Sequence, residues 1–199
     1  DDAAIDIYHK LTDRLSRLPQ AQRMAADGRL QEIMRQAAVD LQYYLTYRDR
    51  YAEALAVNER VRALLREEGR RAFARHAEAI RIQGGEVEAG LAGLRGLAAE
   101  IAADEKSVDA WGDALFAALD KRRFEDADRA IQEAEAFVNR TYQGNLAGEE
   151  AKRDQAFVAY LRARLAAARQ NGREALAWFQ HAGTLDLFYR QNPQYLYTH

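Results

Sequence analysis

The chain has 199 residues, enough for one domain with a sizeable core and hardly enough for two. It is 48% hydrophobic, 30% charged and 10% aromatic, a globular composition richer in aromatics than a disordered tail would be. A net charge of −2, from 29 basic and 31 acidic groups, argues against a dedicated nucleic-acid or acidic-membrane binder, and zero cysteines exclude disulfides, thiolate metal sites and cysteine nucleophiles.

No stretch approaches the roughly 20 apolar residues that cross a bilayer. The start at Asp1-Asp2, with neither methionine nor a basic-then-apolar leader, reads as a mature or trimmed form or a piece of a longer polypeptide. The expected compartment is the cytoplasm, with the periplasm left open on the same ground. Arginine far outnumbers lysine and alanine abounds, which we read as the usage of a GC-rich bacterial genome.

Prolines occur only at Pro19 and Pro193, and strong helix formers fill the interval between them. The first predicted helix, about 3–17, carries Ile5, Ile7, Tyr8, Leu11 and Leu15 and reads as a cap, ending where Leu18 meets Pro19. Further helices are predicted over about 29–47, 50–67, 70–82, 86–102, 108–120, 124–139, 150–169, 173–182 and 184–190. Val108, Trp111, Leu115, Ala118 and Leu119 make one helical stripe, and Phe124, Ala127, Ile131, Ala134 and Val138 make the next. Asp27-Gly28, Gly69, Gly84-Gly85 and Asn171-Gly172 are expected to supply turn or left-handed conformations, and Ser107 to cap a helix starting at Val108. The longer loop 140–149 ends at Glu149-Glu150, acids suited to a helix start. No alternating run bounded by turn signals suggests a strand, so the fold class is all-α. Helices of this length joined by short turns pack as antiparallel pairs.

The second helix of each pair opens on a recurrent motif, in Tyr51–Leu55, Val87–Leu91, Phe124–Asp128 and Gly172–Leu176. Its fourth residue is small (Ala54, Gly90, Ala127, Ala175); four later come Asn58, Leu94, Ile131 and Phe179, and three beyond those Val61, Leu97, Ala134 and Ala182. The segments are spaced by 36, 37 and 48 residues, the last lengthened by the 140–149 loop. Small residues at a fixed place allow two helix axes to approach closely. This pattern resembles the tetratricopeptide repeat, most clearly from Val108 to Arg140, where Trp111, Leu115, Ala118, Phe124, Ala127 and Ala134 stand at matching positions. Gly172 stands where the repeat has an aromatic, and its closing proline is absent throughout.

The resemblance implies a right-handed α-solenoid. Residues 1–34 would form an N-terminal cap, 35–185 about four helix pairs, and 186–199 an aromatic tail, within a single domain overall. It also implies that the first helices line a concave groove for a partner's peptide or helix. The groove positions are Tyr43 and Tyr47 in the first repeat, Arg75, Ala79 and Gln83 in the second, Asp109, Phe116 and Asp120 in the third, and Tyr160 and Arg164 in the fourth. The alternative for these aromatics is that they fill space between neighbouring helices, a reading stronger for Phe116 than for the tyrosines. One family subtype clamps a C-terminal carboxylate with lysines and asparagines; none of these positions is Lys or Asn, which disfavours that use.

Four histidines, His9, His76, His181 and His199, include no i, i+4 pair, and the two serines, Ser16 and Ser107, suggest no triad. The glycines lack a phosphate-binding context. The expectation is therefore a non-enzymatic scaffold or adaptor without metal or cofactor, binding a protein or peptide, with no nucleic acid and no membrane insertion. The C-terminal aromatic segment, from Leu185-Asp186-Leu187-Phe188-Tyr189 to Tyr195-Leu196-Tyr197, is expected to fold back on the fourth pair; the alternatives are continuation into further repeats and contact with a second copy or a partner. The alternative is a ligand- or peptide-sensing domain of a bacterial regulator or export system.

Overall fold

The computed structural model describes residues 28–105 and 107–191, with the separate positions 6, 7, 10, 14 and 17. Nine α-helices can be bounded among the described residues, which include no strand. They are α1 (Gly28–Tyr47), α2 (Tyr51–Arg62), α3 (Glu67–Gln83), α4 (Val87–Glu105), α5 (Trp111–Asp120), α6 (Phe124–Tyr142), α7 (Glu149–Ala168), α8 (Gly172–Leu185) and α9 (Leu187–Gln191). Two compact units divide the chain, residues 1–93 and 94–199, with α4 running from one into the other. Asp6, Ile7, Lys10 and Arg14 are helical, and Lys10 Nζ lies 2.6 Å from Asp6 Oδ2. Ile5, Tyr8, Leu11 and Leu15 of the expected cap, and Tyr195 to Tyr197 of the tail, lie outside the described residues.

Four turns are built alike. The amides of Arg50, Glu86, Arg123 and Asn171 donate to the carbonyls of Leu45, Arg81, Ala118 and Ala166, five residues back. Inside each, the amides of Asp49, Gly85, Arg122 and Gln170 reach back three residues, to Thr46, Ile82, Leu119 and Ala167. These two bonds are those of the Schellman motif, which satisfies carbonyls that a helix end leaves open. It needs one left-handed residue, and Asp49 (φ 58°), Gly85 (φ 97°), Arg122 (φ 54°) and Gln170 (φ 62°) occupy that place. The next helix starts two residues later each time. The recurrent spacing in the sequence is thus a recurrent backbone turn, and helices joined this tightly fold back as hairpins.

The left-handed residue at the last turn is Gln170, where the sequence suggests Asn171-Gly172. Asn171 instead caps α8: its Oδ1 accepts from the Glu174 amide at 3.3 Å, and its Nδ2 donates to Glu174 Oε2 at 2.7 Å. Gly28 and Gly172 open helices and Gly69 lies inside α3, so none of these three ends one. The helix expected from Val108 begins at Trp111. Ser107 Oγ accepts from the Asp109 amide, and the Trp111 and Gly112 amides bond three residues back, so a tight turn precedes the helix.

The small, large and apolar places of the motif are buried in every copy except at half-buried Leu97. Gly90 shows why smallness matters: a Cβ there would lie 2.5 Å from Ile82 Cγ1 and 2.9 Å from the Glu78 carbonyl of α3. In the first unit Met34, Leu41 and Leu45 of α1, Ala54 and Val61 of α2, and Phe73 and Ile80 of α3 form the core. A polar thread runs through it. Buried Asn58 donates from Nδ2 to Gln42 Oε1 (3.2 Å) and to the Phe73 carbonyl (2.9 Å), tying three helices together. In the second unit Trp111 and Leu115 of α5, Ile131 and Val138 of α6 and Leu161 of α7 are all buried, and the Trp111 ring lies 5.3 Å from that of Phe137.

Candidate functional site

On α1 of the first unit, Met34, Ala38, Leu41 and Leu45 turn inward while Ile33, Gln36, Asp40, Tyr43 and Tyr47 turn outward, at the 3- and 4-residue spacing of one helical face. Tyr43 is 73% exposed and Tyr47 78% exposed. Neither fills space between helices. Gln36 Nε2 donates to Asp40 Oδ1 at 2.9 Å, so the polar centre of this face is internally paired. Arg75 and Gln83 of α3 are also exposed, and Ala79 is half-buried.

The second unit treats its expected groove residues differently. Asp109 and Asp120 are exposed, Phe116 and Arg164 half-buried, and Tyr160 buried. Phe116, Tyr160 and Arg164 come together: the Arg164 guanidinium lies 5.5 Å from the Phe116 ring centroid and 6.0 Å from that of Tyr160, and Nη1 donates to the Tyr160 hydroxyl at 3.4 Å. Phe116 and Arg164 hold equivalent places in successive hairpins, so α5 and α7 run side by side there. Tyr160 stacks on Tyr189 of α9 and is a core residue. Of the two readings open for each aromatic, burial supports packing at Tyr160, while Tyr43 and Tyr47 stand on the surface.

Two further clusters in the second unit escaped the sequence reading. Tyr142, at the end of α6, donates its hydroxyl to Asp154 Oδ2 of α7 at 2.9 Å. Burial, more than the Asp154 charge, pushes the Tyr142 phenol up to about 12. Burial also raises the Asp154 carboxyl, against the lowering effect of the Tyr142 bond, and the charge of Asp109 adds to the rise. The pair spans the loop 143–148, whose Leu146 carbonyl accepts from Gln155 Nε2 at 2.9 Å.

The other cluster lines a cleft of about 300 Å³ among α6, α7, α8 and this loop. Glu135 and Arg162 meet there in a two-pronged pair, both hydrogen bonds 2.7 Å long. The Arg162 guanidinium lies 4.9 Å from the Trp178 ring centroid, and His181 meets that ring edge-on at 6.0 Å. Val138, Val158, Ala159 and Leu146 supply apolar walls. Glu135 and Arg162 are 27 residues apart, and no local spacing could have joined them. The repeat register could have, by placing both on helices that neighbour each other in the second unit.

No group of His, Asp and Glu among the described residues could hold a metal ion, and no described helix is long and apolar enough to cross a membrane. No family model, curated protein or solved structure matches the chain.

Proposed function

We propose that this chain is a non-catalytic protein-recognition module, a scaffold or adaptor of tetratricopeptide type. In this reading its hairpins stack as a right-handed α-solenoid, and the outward faces of the first helices hold a partner's peptide or helix. The observation that carries the reading is the pair Tyr43 and Tyr47. Each puts a large ring into solvent on a helix whose opposite face is fully used in the core. Exposed tyrosines offer contact area at little entropic cost and suit interaction hot spots. Exposed Arg75 and Gln83, on α3 of the same unit, would supply the polar contacts.

A displayed-peptide selection on the whole chain tests this. Peptides that bind should bind Tyr43→Ala/Tyr47→Ala at least about tenfold more weakly, since truncating a hot-spot aromatic costs about 1–2 kcal/mol or more. Helicity and melting midpoint should stay unchanged. Selected peptides that bind this variant and Tyr47→Ala/Arg75→Ala as tightly as the parent would overturn the reading.

A further inference from the structure

We propose that the cleft of the second unit is a binding site for a small, uncharged aromatic or heteroaromatic molecule with a hydrogen-bonding edge. This is independent of peptide recognition by the first helices. The cleft's volume, about 300 Å³, suits one or two rings. Its walls mix apolar side chains with the aromatic Trp178 and His181.

Charge decides the first part of the ligand's chemistry. Glu135 and Arg162 spend their charges on each other through two short bonds, and the guanidinium is further held over Trp178. A charged ligand would lose its hydration there with no net counter-charge to replace it. A neutral one needs none.

Polar capacity decides the second part. Arg162 donates from Nε and Nη2 to the two Glu135 carboxylate oxygens, leaving Nη1 unused among the described residues. Gln155 gives its Nε2 to the Leu146 and Ala151 carbonyls, which leaves its oxygen as an acceptor. The Asn139 amide and the His181 ring lie at the same cleft and make no side-chain hydrogen bond among the described residues. These few groups can serve the edge of a planar ring. They are too few for the many hydroxyls of a sugar, which would be buried without partners against Val138, Val158 and Ala159.

Saturation-transfer NMR on the whole chain reads this directly, with nicotinamide, uracil and p-cresol as neutral rings and D-glucose, benzoate and benzamidine as controls. The expected result is transfer to at least one neutral ring and none to the controls. Asn139→Ala/His181→Ala should weaken that binding about tenfold, the loss expected when hydrogen bonds of ordinary strength are removed. Both residues are exposed, so helicity and melting midpoint should be retained; Asn139→Asp/His181→Gln provides a second pair if they are not. Transfer to no neutral ring, equal transfer to the controls, or binding that both double variants leave unchanged would each overturn the proposal.

Discussion

Tyr160 of α7 lies stacked on Tyr189 of α9, ring centroids 5.3 Å apart and planes 27° from parallel. Phe188 meets Tyr189 edge-on at 5.2 Å, and a Cβ on Gly183 would lie 3.4 Å from the Arg190 backbone. The described part of the C-terminal segment therefore folds back on the fourth hairpin. Tyr160→Ala should cost roughly 3–5 kcal/mol of unfolding free energy, the usual range for emptying a buried aromatic site. Tyr43→Ala, on an exposed face, should stay within about 0.5 kcal/mol. Urea denaturation of the two variants checks the contrast; equal losses would contradict the assignment of Tyr160 to the core and Tyr43 to the surface.

Close approach of α3 and α4 gives a sharper test. Alanine is favoured over glycine in a helix by about 1 kcal/mol. Gly90→Ala should nonetheless destabilise the protein by roughly 1–3 kcal/mol, because its methyl would press on the Glu78 carbonyl and Ile82. Gly96→Ala, in the same helix with open space around it, should stabilise by about 0.5–1 kcal/mol. At the equivalent place in the third hairpin, Ala127→Leu should overpack with a loss of roughly 1–3 kcal/mol. Thermal melts of the three variants suffice, and stabilisation by Gly90→Ala would remove the close-approach argument.

Half-buried His76, edge-on to Phe73 at 6.4 Å, is held below its ordinary value of 6.5 by desolvation of the charged ring. The folded protein thus favours neutral His76. Its contribution is complete above pH 6.5 and is lost as pH falls from there through the lowered folded value. Between about pH 7 and about pH 5, the melting midpoint of the parent should fall further than that of His76→Gln. Parallel decline of the two would show that His76 does not carry this dependence.

Much of the fold was legible because the helices have strong periodicity and the turns recur. The small residues Ala54, Ala127 and Ala175 gave the register away. The left-handed positions were harder to read, since only Gly85 carries the residue type that signals them. Asp49, Arg122 and Gln170 take that conformation because the hairpin's two backbone bonds hold them there. Asn58 breaks the apolar pattern at a core place, and its purpose emerges only when Gln42 and the Phe73 carbonyl are seen beside it. The expected groove residues share one register, yet register alone cannot tell exposed Tyr43 from buried Tyr160; that depends on what packs above each, here α9 over Tyr160. The Glu135–Arg162–Trp178 cluster joins three helices and has no local signature at all.

Four equivalent turns set the hairpins of this fold, and backbone NMR measures that equivalence. Carbon shifts and amide–alpha couplings should place Asp49, Gly85, Arg122 and Gln170 in the left-handed region. The amides of Arg50, Glu86, Arg123 and Asn171 should exchange slowly with solvent, as donors to Leu45, Arg81, Ala118 and Ala166. Helical or extended backbone at any of the four left-handed positions, or fast exchange at the amide that follows it, would contradict the repeat.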